Sequence, residues 1–465
     1  MSGHVHFLGI CGYAVSGAAL VAREQGWRVS GSDDQAYPPT TDILTAAGID
    51  WVDGSDAANL ERWGVPDLVV VGNQTRATNP EWLAARDRGL PVSSEIEFYL
   101  RLTAERHRIA VCGTHGKTTT ASLLAHMLDA SGMNPGYRLG STSLDLGGSA
   151  RLGSGPFVFE GDEYTTAPWD PRPKFLHIKP AAACVTRLEL DHPDIYPTLV
   201  EYRAPFIELA RLMPDSGLLV LCADDPECAA LAAHARCRVL TYGTDVDADW
   251  RVQVGDDHDG RQHFTVTHDD STAVALTFPG VHNALNATAA LLLATDAGAP
   301  WEEIVGACAT FKGPARRFEV CGEVDGVTIV DDYAHHPTEV EATIAAARLR
   351  YPGRRIVAIH TPHTYSRTRT LLEDYAHSFT GAGLVVLGPI EAARERGMAA
   401  GISSHDVATR AAASAPVHVV DSSAEAVALI QQEVRDGDVL LVLSLGGFDK
   451  IARRLVSAME ASRVH

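Results

Sequence analysis

The chain has few cysteines and places none of them in a motif. Its eight, at positions 11, 112, 184, 222, 228, 237, 308 and 321, form no Cys-x-x-Cys pair and no Cys/His ligand spacing. That argues against a disulfide framework or a zinc site and for a reduced, cytoplasmic setting. Long apolar runs are also missing. No stretch approaches the roughly 18 residues a membrane span needs, and Met1-Ser2-Gly3-His4-Val5-His6 lacks the charged-then-apolar pattern of a signal peptide. Positive charge is scarce: 39 Lys+Arg stand against 59 Asp+Glu, a net charge of −20. Nonspecific nucleic-acid binding is thereby disfavoured, and an anionic substrate would have to be met by local cations. Neither an internal repeat nor a low-complexity tract is present.

What is present is a phosphate loop. The apolar run Arg108-Ile109-Ala110-Val111 leads into Cys112-Gly113-Thr114-His115-Gly116-Lys117-Thr118-Thr119-Thr120, and Ala121 to Leu128 continue at helical spacing. Strand, glycine turn, Gly-Lys-Thr and helix build an anion site from backbone N–H groups and a helix N-terminus. Lys117 adds a point charge, and the Thr118 hydroxyl can reach Mg²⁺. The general pattern wants its first glycine at position 111, where valine stands; the glycine here is Gly113, so the loop is a shortened variant.

With 465 residues, two or three domains are expected. The α/β pattern divides at 1–105, 106–313 and 314–465. The first part opens as a Rossmann-type unit. A strand at His4 to Ile10 enters a turn with glycines at 9, 12 and 17, a helix follows from about Val15 to Gln25, and a second strand ends in Asp33. Asp33 suits a ribose or base contact, and Asn73 follows the apolar strand Leu68 to Val71 in ligand position at a strand's carboxyl end. The alternative is a plain α/β turn.

Two acid clusters follow the phosphate loop. Phe157-Val158-Phe159 runs into Glu160-Gly161-Asp162-Glu163, which suits a Mg²⁺ ligand or, more simply, a solvated turn. The strand at Ala181 to Thr186 runs into Glu189-Leu190-Asp191-His192, which suits a second metal ligand or a general base. Alternating residues from about 247 to 280 predict antiparallel hairpins added to the parallel sheet. Asn283 and Asn286 stand at i, i+3 at the start of a long helix, fit to cap it or to hold a purine edge or phosphate. Arg316 and Arg317 lie on the second boundary, either as solvated charge or as a hinge cation closing onto phosphates. The last part is again Rossmann-like. Strands at 327–331, 356–359, 384–387, 417–420 and 439–443 carry loops with Asp331-Asp332-Tyr333-Ala334-His335-His336, Pro362-His363-Thr364-Tyr365-Ser366-Arg367-Thr368-Arg369 and Ser444-Leu445-Gly446-Gly447.

Taken in order, Gly113-Thr114-His115-Gly116-Lys117-Thr118, Glu160-Gly161-Asp162-Glu163, Asp191-His192, His282-Asn283-Ala284-Leu285-Asn286, Arg316-Arg317-Phe318 and Asp332 to Glu339 resemble the Mur ligase family over essentially the whole chain. The resemblance implies three domains: a Rossmann-like one for the UDP end of a UDP-muramyl substrate, a P-loop ATPase-type one with added antiparallel strands, and a Rossmann-like one for the incoming amino acid or peptide. It implies ATP and Mg²⁺, and a peptidoglycan-forming reaction in which a carboxylate is phosphorylated and an amine then displaces phosphate. By that resemblance Gly9, Gly12, Asp33 and Asn73 serve the UDP-sugar. Gly113 to Thr119, Asn283, Asn286 and Arg317 serve ATP. Thr118, Glu160 and His192 hold metal, and Asp332 belongs to a junction that closes over ATP. Lys117, Glu160, His192, Arg317 and Asp332 are then the catalytic group, with His335 and Arg367 near the acceptor.

Within the family the last domain resembles the member that uses L-alanine, apart from Thr364, where some members carry arginine. Tyr37-Pro38-Pro39, Gly72-Asn73, Glu160 to Tyr164 and Asp170 to Phe175 resemble the member that uses L-Ala-γ-D-Glu-meso-diaminopimelate. L-Alanine is the expected acceptor because acceptor choice belongs to the last domain. A UDP-sugar-binding protein with a dead ATP site is the non-enzyme alternative.

Overall fold

A computed structural model of the chain describes residues 3–36, 40–398, 401–446, 448 and 450–462. Tyr37-Pro38-Pro39 and Gly447, singled out above, lie outside them, as do Met1 and Ser2. The chain forms two compact units. The first comprises Met1–Leu188, Arg203–Arg251 and Asn286–Pro314; the second comprises Glu189–Tyr202, Val252–Leu285 and Ala315–His465.

The first unit opens with a five-stranded parallel sheet built from β1 (His4–Leu8), β2 (Arg28–Asp33), β3 (Asp50–Asp53), β4 (Leu68–Val71) and β5 (Val92–Ser94) in the order β3-β2-β1-β4-β5. β1 and β4 are buried at every residue, as their continuous apolar runs require in a sheet covered on both faces. The strand order reverses between β1 and β4, and that switch point is where open α/β sheets take ligands. The helix Tyr13–Glu24 follows β1. Its Gly17 is a packing glycine, because a Cβ there would lie 2.8 Å from the Ala150 side chain.

A second sheet in this unit contains β6 (Arg108–Cys112), β7 (Gly136–Ser143), β8 (Gly148–Arg151), β9 (Phe157–Glu160), β12 (Ala182–Val185), β13 (Leu218–Cys222) and β14 (Arg238–Gly243). Between β9 and β12, the short strands β10 (Thr165–Ala167) and β11 (Asp170–Pro173) pair as a separate hairpin. The main sheet runs β14-β13-β12-β6-β9-β7-β8, parallel except at the β7–β8 edge. Register decides what meets the phosphate loop: Val111 on β6 pairs with Glu160 on β9, and Cys112 pairs with Val185 on β12. The acid cluster and the loop therefore leave the sheet side by side.

Next come β15 (Trp250–His258), β16 (Arg261–Thr267) and β17 (Ser271–Leu276); β16 and β17 pair antiparallel, as the alternation predicts, and burial alternates along β16. In the second unit β18 (Glu319–Val324), β19 (Val327–Asp332), β20 (Ile356–His360), β21 (Leu384–Leu387), β22 (Val417–Val419) and β23 (Val439–Leu443) form a sheet in the order β18-β19-β23-β20-β21-β22. Only β18 is antiparallel to its neighbour. Val357, Ile359, Val386, Leu440 and Val442 form its core with the helix Ile451–Ser462. Among the described residues, no helix is long and apolar enough to cross a membrane.

Candidate active site

In the first unit the site begins where β6 ends. Gly113 has φ +123°, and a Cβ there would lie 2.4 Å from Thr186 Oγ1. Gly116 has φ +79°, and its Cβ would lie 2.3 Å from Asn286 Oδ1. The loop is thus pressed between Thr186 and Asn286 in a backbone shape that glycine alone takes without strain. Thr114 N–H donates to the Arg187 carbonyl at 2.7 Å, and Thr186 Oγ1 donates to the carbonyls of Cys112 and His115. The helix Lys117–Ala130 starts directly from this loop, so its first N–H groups lie at the loop's end.

Lys117 folds back over the loop. Its Nζ donates to the Gly113 carbonyl at 2.5 Å and the Thr114 carbonyl at 3.0 Å, and lies 3.0 Å from Glu163. Burial opposes its charge, but Glu163 and Glu160 more than offset that, and the ammonium is held above the usual lysine range. Glu160 is buried. Its Oε1 accepts from the Thr118 hydroxyl at 2.7 Å and its Oε2 from Gly140 N–H at 2.6 Å. Burial, with Asp162 nearby, raises its carboxyl above the ordinary range. A hydroxyl beside a buried carboxylate is a donor set of hard oxygens that fits Mg²⁺.

Arg138 fixes this acid loop from behind. It is 1% exposed. It pairs with both carboxylate oxygens of Glu95 at 2.8 and 3.2 Å, with Asp162 Oδ2 at 3.1 Å, and donates to the Glu160 carbonyl at 2.9 Å. Lys174 completes the group, 3.5 Å from Asp162 and 3.7 Å from Glu95. Burial would raise the Asp162 carboxyl, but Arg138 and Lys174 bring it down to about 2. At the first sheet, Gly9 has φ +75°, and Gly12 precedes the helix Tyr13–Glu24. Asp33 Oδ2 accepts from Cys11 N–H and Oδ1 from Gln35 N–H, each at 2.8 Å, so the carboxylate braces the glycine turn. Asn73 is half-buried just beyond β4.

The second unit carries its own cluster. Arg367, 4% exposed, places Nε 2.8 Å and Nη2 2.7 Å from Asp191 Oδ1. Its Nη1 lies 3.1 Å from His363 Nδ1 and its Nη2 3.2 Å from His192 Nδ1. A guanidinium only donates, so each Nδ1 faces it as the acceptor. Burial works against the Asp191 charge, but His192 and Arg367 hold its carboxyl well below the usual range. His192 Nε2 lies 3.4 Å from Asp191 Oδ2, so both of its ring nitrogens face partners inside this unit. Arg367, expected near the acceptor, sits with His363 and, through the edge contact of His363 with His335 at 5.8 Å, beside that residue too. Burial keeps His335 neutral far below the usual imidazole range.

The two boundary arginines part company. Arg316, at φ +59°, pairs with Asp331 at 3.0 Å and donates to the carbonyls of Ser444 and Leu445; it is a brace. Arg317 lies over the Tyr333 ring at 5.1 Å and 3.9 Å from Glu339. Asp332 accepts from Phe318 N–H at 2.7 Å and Ala334 N–H at 2.8 Å, fastening the boundary segment to the end of β19. Burial raises its carboxyl to about 6 against the pull of Arg317. Asn283, buried, donates to the Pro279 carbonyl at 2.8 Å at the start of the helix Val281–Asp296.

Sequence reading did not find Arg138, Glu95 or Thr186, and it left open which acid meets Lys117. An arginine inside a strand gives no signal of its own. Its partner here is 43 residues away.

Comparison with known proteins places these residues in context. Three family models match in succession: "Mur ligase family, catalytic domain" over residues 4–107, "Mur ligase middle domain" over 111–294, and "Mur ligase, glutamate ligase domain" over 316–446. A UDP-N-acetylmuramate–L-alanine ligase of Chloroflexus aggregans is 39% identical over 479 residues, 98% of each chain. One of Kineococcus radiotolerans is 44% identical over 400 residues, 84% of this chain and 83% of that one. The crystal structure of a UDP-N-acetylmuramate-alanine ligase from Thermotoga maritima superposes with a TM-score of 0.81 at 25% identity, covering 99% of this chain and 100% of that one. That of a murein peptide ligase from Psychrobacter arcticus superposes with a TM-score of 0.74 at 30% identity, covering 98% of both.

Proposed function

The chain belongs to the Mur ligase family, and from that we propose that it joins the carboxylate of UDP-N-acetylmuramate to the amine of L-alanine at the expense of ATP. The carboxylate oxygen attacks the γ-phosphorus of ATP, giving an acyl phosphate and ADP. The acceptor's ammonium first gives up a proton; the free amine attacks the acyl carbon, loses a second proton, and phosphate leaves.

The first step brings two anions together. Lys117, held charged by Glu163 and Glu160, lowers that repulsion. The backbone N–H groups from Gly113 to Thr118 seat phosphate oxygens, and the opening of the helix Lys117–Ala130 adds its dipole. Thr118 and Glu160 are the groups that would hold Mg²⁺, with His192 a third by resemblance; the ion, when bound, supplies further neutralisation at the phosphates. Arg317 is assigned to the γ-phosphate, and Asp332 holds the segment that carries it. Gly9, Gly12, Asp33 and Asn73 are assigned to the UDP-sugar.

The observation that carries this reading is near-full-length similarity to proteins named UDP-N-acetylmuramate–L-alanine ligase, on a chain that has the Lys117–Glu163 and Thr118–Glu160 pairs. A peptide acceptor is the second reading, favoured by the murein peptide ligase likeness. The test is phosphate release from Mg-ATP and UDP-N-acetylmuramate with L-alanine, L-serine, glycine or L-Ala-γ-D-Glu-meso-diaminopimelate. Release with L-alanine is expected. Preference for the tripeptide would replace the acceptor, and no release with any amine would sink the enzyme reading.

A further inference from the structure

At the carboxyl ends of three adjacent strands of the second unit, or in the loop just beyond, stand oxygen atoms that no described residue satisfies. Thr361 follows β20 and Ser444 follows β23; His360 pairs with Leu443, so Thr361 and Ser444 stand next to each other in register. Both are buried, at 2% and 0% exposure, and neither hydroxyl has a hydrogen-bond partner among the described residues. Beyond β21, on the other side of β20, comes Glu391. Its backbone is knitted to the acceptor loop: its N–H donates to the Pro362 carbonyl at 2.9 Å, its carbonyl accepts from Thr364 N–H at 3.2 Å, and it bridges to His363. Its Oε2 is cut off from solvent and likewise has no partner among the described residues. The carboxylate rests against Gly446, where a Cβ would lie 2.3 Å from Oε1.

Glu391 is half-buried, and a carboxylate oxygen shut away from water without a hydrogen-bond donor is costly and suits a cation. Of the arginines nearby, Arg367 pairs with Asp191 and Arg316 with Asp331. All three oxygens lie at the carboxyl ends of parallel strands, where such sheets bind ligands. A primary ammonium carries three donors and one positive charge, which matches two hydroxyls and one carboxylate. We propose that Glu391, with Thr361 and Ser444, seats the primary ammonium of the amine acceptor. The seat deepens the ligase reading and rests on it. It selects a charged amine end and leaves the remainder of the acceptor to other residues, so L-alanine and a peptide N-terminus share the same chemistry.

The experiment varies the amine at saturating UDP-N-acetylmuramate and Mg-ATP, using the full chain. Glu391→Gln removes the charge and keeps the shape. Because a hydrogen bond to a charged group contributes about 1.5–3 kcal/mol, the KM for the amine should rise about tenfold or more. The KM for ATP should stay within about twofold. Gly446→Ala drives a Cβ into the carboxylate and should produce the same rise with Glu391 intact. Hydroxylamine, uncharged at the assay pH, separates recognition from structure: the KM for L-alanine should rise relative to that for hydroxylamine. L-Alanine and the tripeptide are run in parallel, and whichever is the acceptor should show the rise. An amine KM unchanged in both variants, or an equal rise for hydroxylamine, overturns the seat while wild-type turnover leaves the ligase reading standing. Wild-type enzyme that turns over no amine overturns both.

Discussion

Arg138 holds Glu95 through two hydrogen bonds while a third guanidinium N–H supports the carbonyl of Glu160, so one buried side chain ties the N-terminal turn of the helix Glu95–Leu102 to the acid loop beside the phosphate site. Removing the cation from such a group leaves carboxylates buried and unpaired. Arg138→Met should therefore lower unfolding stability by about 3–5 kcal/mol. Pairing it with Glu95→Gln should recover part of that loss. Denaturant unfolding of the two single variants and the double variant checks this. Equal losses in Arg138→Met and the double variant would remove the coupling.

Lys117→Ala should abolish ligation while the chain stays folded. The lysine's bonds run to its own loop and to Glu163, and they stabilise charge more than core packing. Loss of a preorganised charge-stabilising donor costs about 10²–10³-fold in rate, which sets the minimum expected. Phosphate release and circular dichroism together check it. Wild-type turnover in the variant would end the role given to the loop.

Arg367, proposed to lie near the acceptor, also carries a structural load. With Asp191 buried against it, Arg367→Ala leaves that charge uncompensated and should cost about 3–5 kcal/mol of stability. Arg367→Lys should rescue little, because an ammonium cannot reproduce the fork to Asp191, His192 and His363. Urea midpoints for the two variants decide the matter. An unchanged midpoint in Arg367→Ala would overturn this structural role.

Asp332 predicts a pH dependence. Its carboxyl is raised to about 6 in the folded chain, above the ordinary carboxylate range. Its contribution to stability is therefore fully present at pH below about 4 and is lost as pH rises through about 6, by roughly 3 kcal/mol in all. Asp332→Asn removes the titrating group, so the part of the pH slope between about pH 4 and 7 that belongs to Asp332 should vanish in the variant. Unfolding midpoints measured across that interval check it; an unchanged slope would place the titration elsewhere.

Gly116→Ala should weaken ATP binding and lower the melting temperature together. Its φ of +79° costs an alanine about 1–2 kcal/mol, and the new Cβ meets Asn286 at 2.3 Å. Calorimetric ATP titration and thermal unfolding read the two effects separately.

Much of the fold was open to sequence reading, because apolar runs and glycine turns act locally. β1, β4, β6, β9, β20, β21 and β23 are such runs and lie where expected. β22 also falls at the predicted 417–420, whereas β3, β10 and β11 carry no such signal: Asp50–Asp53 and Asp170–Pro173 have too few apolar residues to announce themselves, and pairing partners alone make them strands. The helix Tyr13–Glu24 starts two residues before the expected Val15, within the ordinary fraying of a helix end.

The sequence by itself determined the α/β class, the phosphate loop with its missing first glycine, and the family, since each depends on residue order and spacing. The tertiary structure decided which charges meet. That Glu163 takes Lys117, that Arg316 is a brace while Arg317 lies over Tyr333, that Arg367 is bound to Asp191, and that Glu391 has no counter-charge among the described residues all depend on strand register and on contacts between distant positions. A sequence lists charges, but pairing is a property of distance and burial. Only the folded chain brings Val111 level with Glu160 and buries Arg138 against Glu95.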